Sequence, residues 1–423
     1  MSGHLGSSAK HVLGLLGQAV DAPVAIRLWT GETVAMKPGA GTDIVITVHS
    51  PRAFRRLLLK PSLLTFADLL AEGEVDLGEA HPLRMLRSVD HTTLMAGVAS
   101  ISRLKLAKAA LPFLFARLPG KPNEIASAGG GARDDKAFVS FHYDLSNAFY
   151  GLFLGEAMIY SSGYFRSTGE TLDQAQANKI DHICRKLLLK PGERLFETGS
   201  GWGALLCHAA MEYGVVAHGV TLSKEQFDFC QAKIAQLGLE GRVTVELRDM
   251  RSLETAEAYD KIAQVGMFEH VGLDHHDAYF RQIRKLLRPR GLYLHDAATR
   301  RVTKDVARFR EKSVYQKFAD RYIFPGGEMD HVGLTLTNLE RNGFEVHDVE
   351  NMREHYQKTA EHWTDRLWAN REKAAALVGW PRTRMWLFYL GLTVVAFDRL
   401  LLNDFQIVAS RRVIGASGYP QSR

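Results

Sequence analysis

The stretch RLFETGSGWGALLCHAAMEYG, residues 194–214, decides the fold. RLFETGSG reads as a strand running into a glycine-rich turn, and WGALLCHAAMEYG reads as the helix that follows. The three glycines, Gly199, Gly201 and Gly203, let the backbone turn tightly and approach a ligand closely. The same rhythm continues outward. VVAHGVTLS (215–223) is a second strand and KEQFDFCQAKIAQLGL (224–239) a second helix. RVTVEL (242–247) and KIAQVGMFEH (261–270) read as strands, HDAYFRQIRKLLRPRG (276–291) as a helix and LYLHDA (292–297) as another strand. Strands alternating with helices predict an α/β domain with a doubly wound parallel sheet. Ligands of such sheets bind beyond the carboxyl ends of the strands.

A dinucleotide fold needs GxGxxG with an acidic residue about 20 residues on. Here the glycines fall at every second position, and the second strand ends in Thr221-Leu222-Ser223 with no carboxylate at its tip. Both points disfavour NAD. The run from Glu197 to Gly203 resembles instead the ExGxGxG pattern of S-adenosylmethionine (SAM) methyltransferases. Gln226, just inside the second helix, and Asp249, after the third strand, are placed to meet ribose and adenine.

At 423 residues the chain is long enough for two or three domains of ~100–200 residues. Apolar residues make up 46% and charged residues 24%, which excludes a disordered or collagenous chain. Lys plus Arg number 53 against 47 Asp plus Glu, a net charge of +6. That excess suits a visit to an anionic membrane or nucleic acid, and equally an ordinary basic enzyme. Cys184, Cys207 and Cys230 form no CxxC pair, so neither a zinc site, nor any other metal, nor a disulfide scaffold is expected. Sparse cysteine suits a reducing cytoplasm. The first 20 residues lack the order of a signal peptide, and no apolar run approaches ~20 residues.

Upstream, residues 1–90 carry short strand-like segments, VAIRLWTGETVAM and TDIVITVHS, then PRAFRRLLLKP as a helix between Pro51 and Pro61. This predicts a small α+β accessory domain. Residues 91–137 hold a helix-like stretch, Thr92 to Leu118, whose charges Arg103, Lys105, Lys108 and Arg117 are all positive. Such a helix either lies on anionic membrane or packs on its neighbour with the basic side solvated. A Gly/Pro/Ser-rich linker follows. The chemistry is assigned to residues 138–423.

Several separated motifs, in order, carry a family resemblance. FHYDLSNAFYGLFLGEAMIYSSGYF (141–165), FETGSGWG (196–203), GVTLSKEQ (219–226), VGMFEHVG (265–272), YIFPGGEM (322–329) and REHYQKTAEHW (353–363) resemble the cyclopropane-fatty-acyl-phospholipid synthases. The mycolic acid cyclopropane synthases look like relatives of the same catalytic domain. The resemblance implies a Rossmann-like SAM methyltransferase sheet with a helical lid, and an N-terminal lipid-binding-like module.

It also implies a reaction. A cis double bond in a phospholipid acyl chain takes a methyl group from SAM, and bound bicarbonate deprotonates the resulting carbocation so that a cyclopropane closes. Water must be kept out and the alkene aligned. Aromatic faces stabilise a cation within ~6 Å; Tyr143, Phe149, Tyr160, Tyr164, Phe165 and Tyr322 are candidates. Matched position by position, Gly199, Gly201, Gly203, Thr221, Leu222, Gln226, Tyr143 and Ser161 are expected to hold SAM. Glu269, His295 and Tyr356 match the bicarbonate site, with Ser162 at its border. Ser162 stands where the family usually has cysteine, and Ala297 where it usually has isoleucine. Extra room at Ala297 would allow a methyl- or methylene-branched product instead of a ring. A non-catalytic lipid- or SAM-binding protein is the reading from another class. A nucleic-acid methyltransferase would carry an Asn/Asp-Pro-Pro-Tyr/Phe run where this chain has Phe268-Glu269-His270-Val271, so nucleic acid is not an expected partner. The implied setting is the cytoplasmic face of a membrane, with unsaturated phospholipids as partners and a homodimer as the assembly.

Overall fold

The computed structural model describes residues 2–19, 23–36, 44–88, 103–115, 145–302 and 309–420. Tyr143, Arg117 and the whole of the expected linker lie outside the described residues. The N-terminal elements are α1 (Ser2–Ala19), β1 (Ala25–Arg27), β2 (Thr33–Ala35), β3 (Val45–Val48), α2 (Pro51–Leu59), α3 (Leu63–Ala71), β4 (Val75–Asp76), α4 (Pro82–Ser88) and α5 (Arg103–Phe115). Next come α6 (Asn147–Leu154), α7 (Leu172–Lys186), β5 (Arg194–Glu197), α8 (Ala204–Tyr213), β6 (Val216–Thr221), α9 (Lys224–Gln236), β7 (Val243–Leu247), β8 (Tyr259–Val265), α10 (His276–Leu286) and β9 (Leu287–Arg300). The last are α11 (Val314–Tyr322), α12 (Val332–Arg341), β10 (Phe344–Asn351), α13 (Arg353–Ala369), α14 (Arg371–Asp398) and β11 (Leu402–Arg411).

Two compact units divide these elements. The first gathers Met1–Gly129, Lys312–Ile323 and Leu367–Val395. Its sheet runs β2-β1-β3-β4, with only the β1–β3 pair parallel. Pro51 opens α2 behind the Ser50 cap, as the sequence leads one to expect. On α5, Lys105 and Lys108 are exposed while Ala109, Ala110 and Phe113 are buried. Phe113 packs against Trp29 and Phe54, so this apolar side is already spent inside the unit. The sequence partition left α11 and α14 with residues 138–423, but α11 and much of α14 cluster here. Phe318 and Phe66 both pack on Phe388 with centroids 5.6 Å apart, giving two apolar helix faces a common partner. Gly379, at φ +81°, interrupts α14 just before Pro381.

The second unit holds Gly130–Glu311, Phe324–Arg366 and Ala396–Arg423 around a seven-stranded sheet, order β10-β11-β9-β8-β5-β6-β7. The five strands from β9 to β7 are parallel, as expected. The sheet is mixed rather than all parallel, because β11 enters antiparallel between β9 and β10. Both faces are covered. Leu195, Ala217, Ala263, Leu294 and Val408 join one core; their neighbours Phe196, Val220, Ile262, Tyr293 and Ile407 join the other. That period of two, apolar on both sides, is what a sheet sandwiched between helices requires. The strand order reverses between β5 and β8, which opens a crevice at their carboxyl ends.

Candidate functional site

A cavity of about 400 Å³ lies in the second unit at this reversal, lined by the ends of β5, β6 and β8. Such a volume is within the range of small-molecule sites. The glycine turn forms its floor. Ser200 N–H donates to Val220 O (2.9 Å), and Gly203 N–H donates to Ser200 O (2.8 Å). Gly201 has φ +50° and a Cβ there would meet nothing within 4 Å, so this residue faces open space in the cavity wall. A Cβ on Gly219 of β6 would sit 2.0 Å from Ser200 Oγ, so glycine there lets the turn lie flat on its neighbour.

The expected cofactor residues converge. Glu197, Gly199, Gly201, Thr221, Leu222, Gln226, Asp249 and Ser161 all line the cavity. Gly203 does not; it caps α8 in the left-handed conformation with Cys230 close behind. Thr221 Oγ1 donates to Gln226 Oε1 (2.7 Å), which fixes the amide at the cavity wall. Asp249 is less available than its position implied. Partial burial pushes its carboxyl up, but Arg251, bonded at 2.6 Å, outweighs this and holds it low.

Glu197 is buried, its Oε2 has no hydrogen-bond partner among the described residues, and burial pushes its carboxyl up to about 8 against the pull of Lys179. Lys179 was not anticipated. It is buried on α7 and donates to Ser161 Oγ (2.9 Å), while Gln176, one turn earlier, donates to Ser161 O (2.9 Å). Together they pin the Ser161 segment at the cavity edge. Lys179 also faces Asp296 and Asp404, whose carboxyls burial drives up. The signal was available. Lys179 and Gln176 share helical spacing with the buried Leu172, Ala175, Ile180 and Ile183, and polar residues on an apolar face need a partner.

The residues expected at the bicarbonate site are only partly gathered. Glu269 sits on a single 3-10 turn, Phe268–His270, whose neighbours Met267 and His270 line the cavity. Its Oε1 accepts from Ala298 N–H of β9 (2.7 Å), while its buried Oε2 has no partner among the described residues. Burial pushes this carboxyl up to about 7, with Asp296 and Asp330 adding to the rise. His295 is buried on β9 against Phe268 and Phe280. Its Nδ1 is 2.9 Å from Tyr293 OH, and its Nε2 has no partner among the described residues. Burial, then the nearby His276, pulls the ring down to about 3, so it is neutral. Tyr356 lies on α13 and stacks on Phe397 with centroids 4.8 Å apart. Ser162 is buried and donates its hydroxyl to Gly163 O (2.9 Å), while Gly163 N–H donates to Thr359 Oγ1 of α13 (2.9 Å). Ala297 is buried in the same apolar cluster as Phe268 and Phe280.

Of the aromatic candidates, Tyr160 lines the cavity. It stacks parallel to Phe324, while Trp202 donates to Asn147 Oδ1 (2.6 Å) on the same rim. Phe149 is core, Tyr164 is sandwiched between His182 and His355, and Phe165 lies beneath Lys358. Tyr322 belongs to the first unit, where its hydroxyl bonds Asp68.

The residues present fit SAM. The glycine at position 201 leaves room at the strand ends, Gln226 is held ready, and Glu197 lines the same space. Comparison with known proteins agrees. The family model described as "Mycolic acid cyclopropane synthetase" matches residues 132–407. A protein of Pseudomonas putida named "Probable fatty acid methyltransferase" is 35% identical over 396 residues, 93% of each chain. The "Cyclopropane-fatty-acyl-phospholipid synthase" of Escherichia coli K12 is 34% identical over 274 residues, 64% of this chain and 67% of that one. The crystal structure of mycolic acid cyclopropane synthase CmaA1 complexed with SAH and CTAB superposes with a TM-score of 0.62. It is 32% identical and covers 66% of this chain and 99% of its own.

Proposed function

Because the chain belongs to the mycolic acid cyclopropane synthetase family of SAM-dependent, lipid-modifying methyltransferases, we propose that its substrate is the cis double bond of an unsaturated phospholipid acyl chain and its product a cyclopropane. SAM, when bound, supplies an electrophilic methyl carbon on a sulfonium. The chain's own residues do the rest. Gly199 and Gly201 let the turn approach the cofactor, Gln226 meets its ribose, and Ser161 meets it from the α7 side. Tyr160 and Trp202 wall the cavity with rings, which keeps water from a cationic centre and offers it a π face.

Losing a proton completes the product. In this reading Glu269, whose carboxyl burial raises to about 7, accepts the hydroxyl proton of a bicarbonate that would take the proton from the lipid cation. The buried Glu269 Oε2 and His295 Nε2, which have no partner among the described residues, support this reading, because buried polar atoms normally have one. A bicarbonate held between a donor and an acceptor of this kind would supply an oriented base. A second reading, a methyl- or methylene-branched product, is favoured by the small Ala297 and by the fatty acid methyltransferase names of two relatives that match over most of their length.

The setting we propose is the cytoplasmic face of an anionic membrane, with the protein a homodimer and nucleic acid not a substrate. The net charge of +6 and the exposed Lys105 and Lys108 support the membrane part. Among the described residues no helix is long and apolar enough to cross a membrane.

The test mixes protein, SAM and vesicles of cis-unsaturated phospholipid, then reads fatty acid methyl esters by mass spectrometry and NMR. A gain of CH2 with loss of alkene protons supports the ring. A gain of CH2 with alkene protons retained supports the branch. No gain on any unsaturated lipid rejects both.

A further inference from the structure

A line of buried hydroxyls joins the glycine turn to His295. Thr198 Oγ1 is 3.2 Å from Tyr279 OH, Tyr279 OH is 3.4 Å from Tyr293 OH, and Tyr293 OH is 2.9 Å from His295 Nδ1. All four residues are at most 4% exposed. Thr198 lies between Glu197 and Gly199 of the cofactor turn, and both Thr198 and Tyr279 line the cavity. Tyr293 and His295 share one face of β9, two residues apart, and α10 lays Tyr279 on that face.

We infer that Tyr293, backed by Tyr279, is a positioning residue that holds His295 in the tautomer with its proton on Nε2. The ring is neutral, so one nitrogen carries a proton and the other a lone pair. A phenol is a better donor than a neutral imidazole N–H, and an imidazole lone pair is a better acceptor than a phenol oxygen. Tyr293 therefore donates to Nδ1. Its oxygen is then free to accept from Tyr279, and Tyr279 from Thr198, so every hydroxyl in the line points the same way. Chains ordered in this manner polarise one another.

The consequence deepens the function proposed above and rests on it. Nε2, which has no partner among the described residues, is a hydrogen-bond donor and not a base. Proton acceptance then falls to Glu269, and His295 presents an N–H to a negatively charged or carbonyl oxygen. One line of hydrogen bonds also joins the glycine turn to the His295 site.

Nitrogen-15 NMR of the full chain labelled at histidine tests the tautomer directly, with His295→Gln used to assign the signal. The expected spectrum shows a pyridine-like Nδ1 and a pyrrole-like Nε2 for His295. Tyr293→Phe, nearly isosteric, should mix the two tautomers and lower kcat at least about tenfold. KM for SAM should stay within about twofold. Tyr279→Phe, which leaves the Tyr293 donor in place, should keep the tautomer and lower kcat less. A protonated Nδ1 in the unmodified protein overturns the inference. So does an unchanged tautomer with unchanged kcat in Tyr293→Phe. If that variant fails to fold, the spectrum of the unmodified chain still decides. Absence of lipid methylation by the unmodified enzyme would sink the proposed function while leaving the tautomer result standing.

Discussion

Replacing Glu269 with Gln separates the stability cost of this carboxylate from its chemical use. In the folded chain its carboxyl has moved from an ordinary value of 4.5 to about 7, chiefly through burial. Between those values the unfolded chain is ionised there and the folded chain still holds the proton. Stability therefore falls as pH rises through this window and levels off above about 7. At ~1.36 kcal/mol per pH unit, the loss comes to about 3 kcal/mol. Gln copies the protonated acid: its oxygen still accepts from Ala298 N–H and its NH2 takes the place of the acid O–H. The variant should match the parent near pH 4.5 and exceed it by about 3 kcal/mol at pH 8. Turnover should fall by about 10²–10⁴, with SAM affinity unchanged. Urea unfolding of both proteins across pH 4.5–8.5 and vesicle methylation at the same pH values provide the readout. Parallel pH–stability curves would refute the burial argument, and full turnover by Glu269→Gln would refute the assignment of the base. A carboxylate that costs the fold stability yet is needed for turnover is the pattern expected where structure is strained for function.

The parent enzyme should gain activity as pH rises through about 7, because Glu269 must be ionised to accept a proton; a flat profile would count against it. Gly201→Val should abolish SAM binding by calorimetry, since the added methyls enter open cavity rather than protein, and the positive φ should cost only ~1 kcal/mol or a little more in stability. Gln226→Leu should weaken SAM about tenfold by removing the amide proposed to meet the ribose, and with it the acceptor of the Thr221 O–H. Ala297→Ile should move any branched product toward the ring, read by NMR of the product lipid; an unchanged mixture would remove Ala297 from the argument.

Much of the site was readable along the chain because it is local. The glycine turn and Thr221 lie where strands end, Gln226 opens the next helix and Glu269 follows β8; periodicity finds these element ends, and the family resemblance supplies the roles. Asp249 shows the limit. It lines the cavity, yet Arg251 two residues on occupies its carboxylate. The aromatic candidates show it again. Six rings were nominated on chemistry alone, and of those described Tyr160 reaches the cavity. Which way a ring points depends on what packs behind it.

The order of apolar, glycine and polar residues was sufficient to determine a wound sheet with a ligand crevice at residues 199–203, since backbone conformation follows near neighbours. It could not place Lys179 beside Ser161, Glu269 on the β9 backbone, or Tyr279 against Tyr293. Those partners are 18, 29 and 14 residues apart. Tertiary packing decided them, along with every displaced ionisation, because desolvation and charge pairing exist only once distant segments exclude water together.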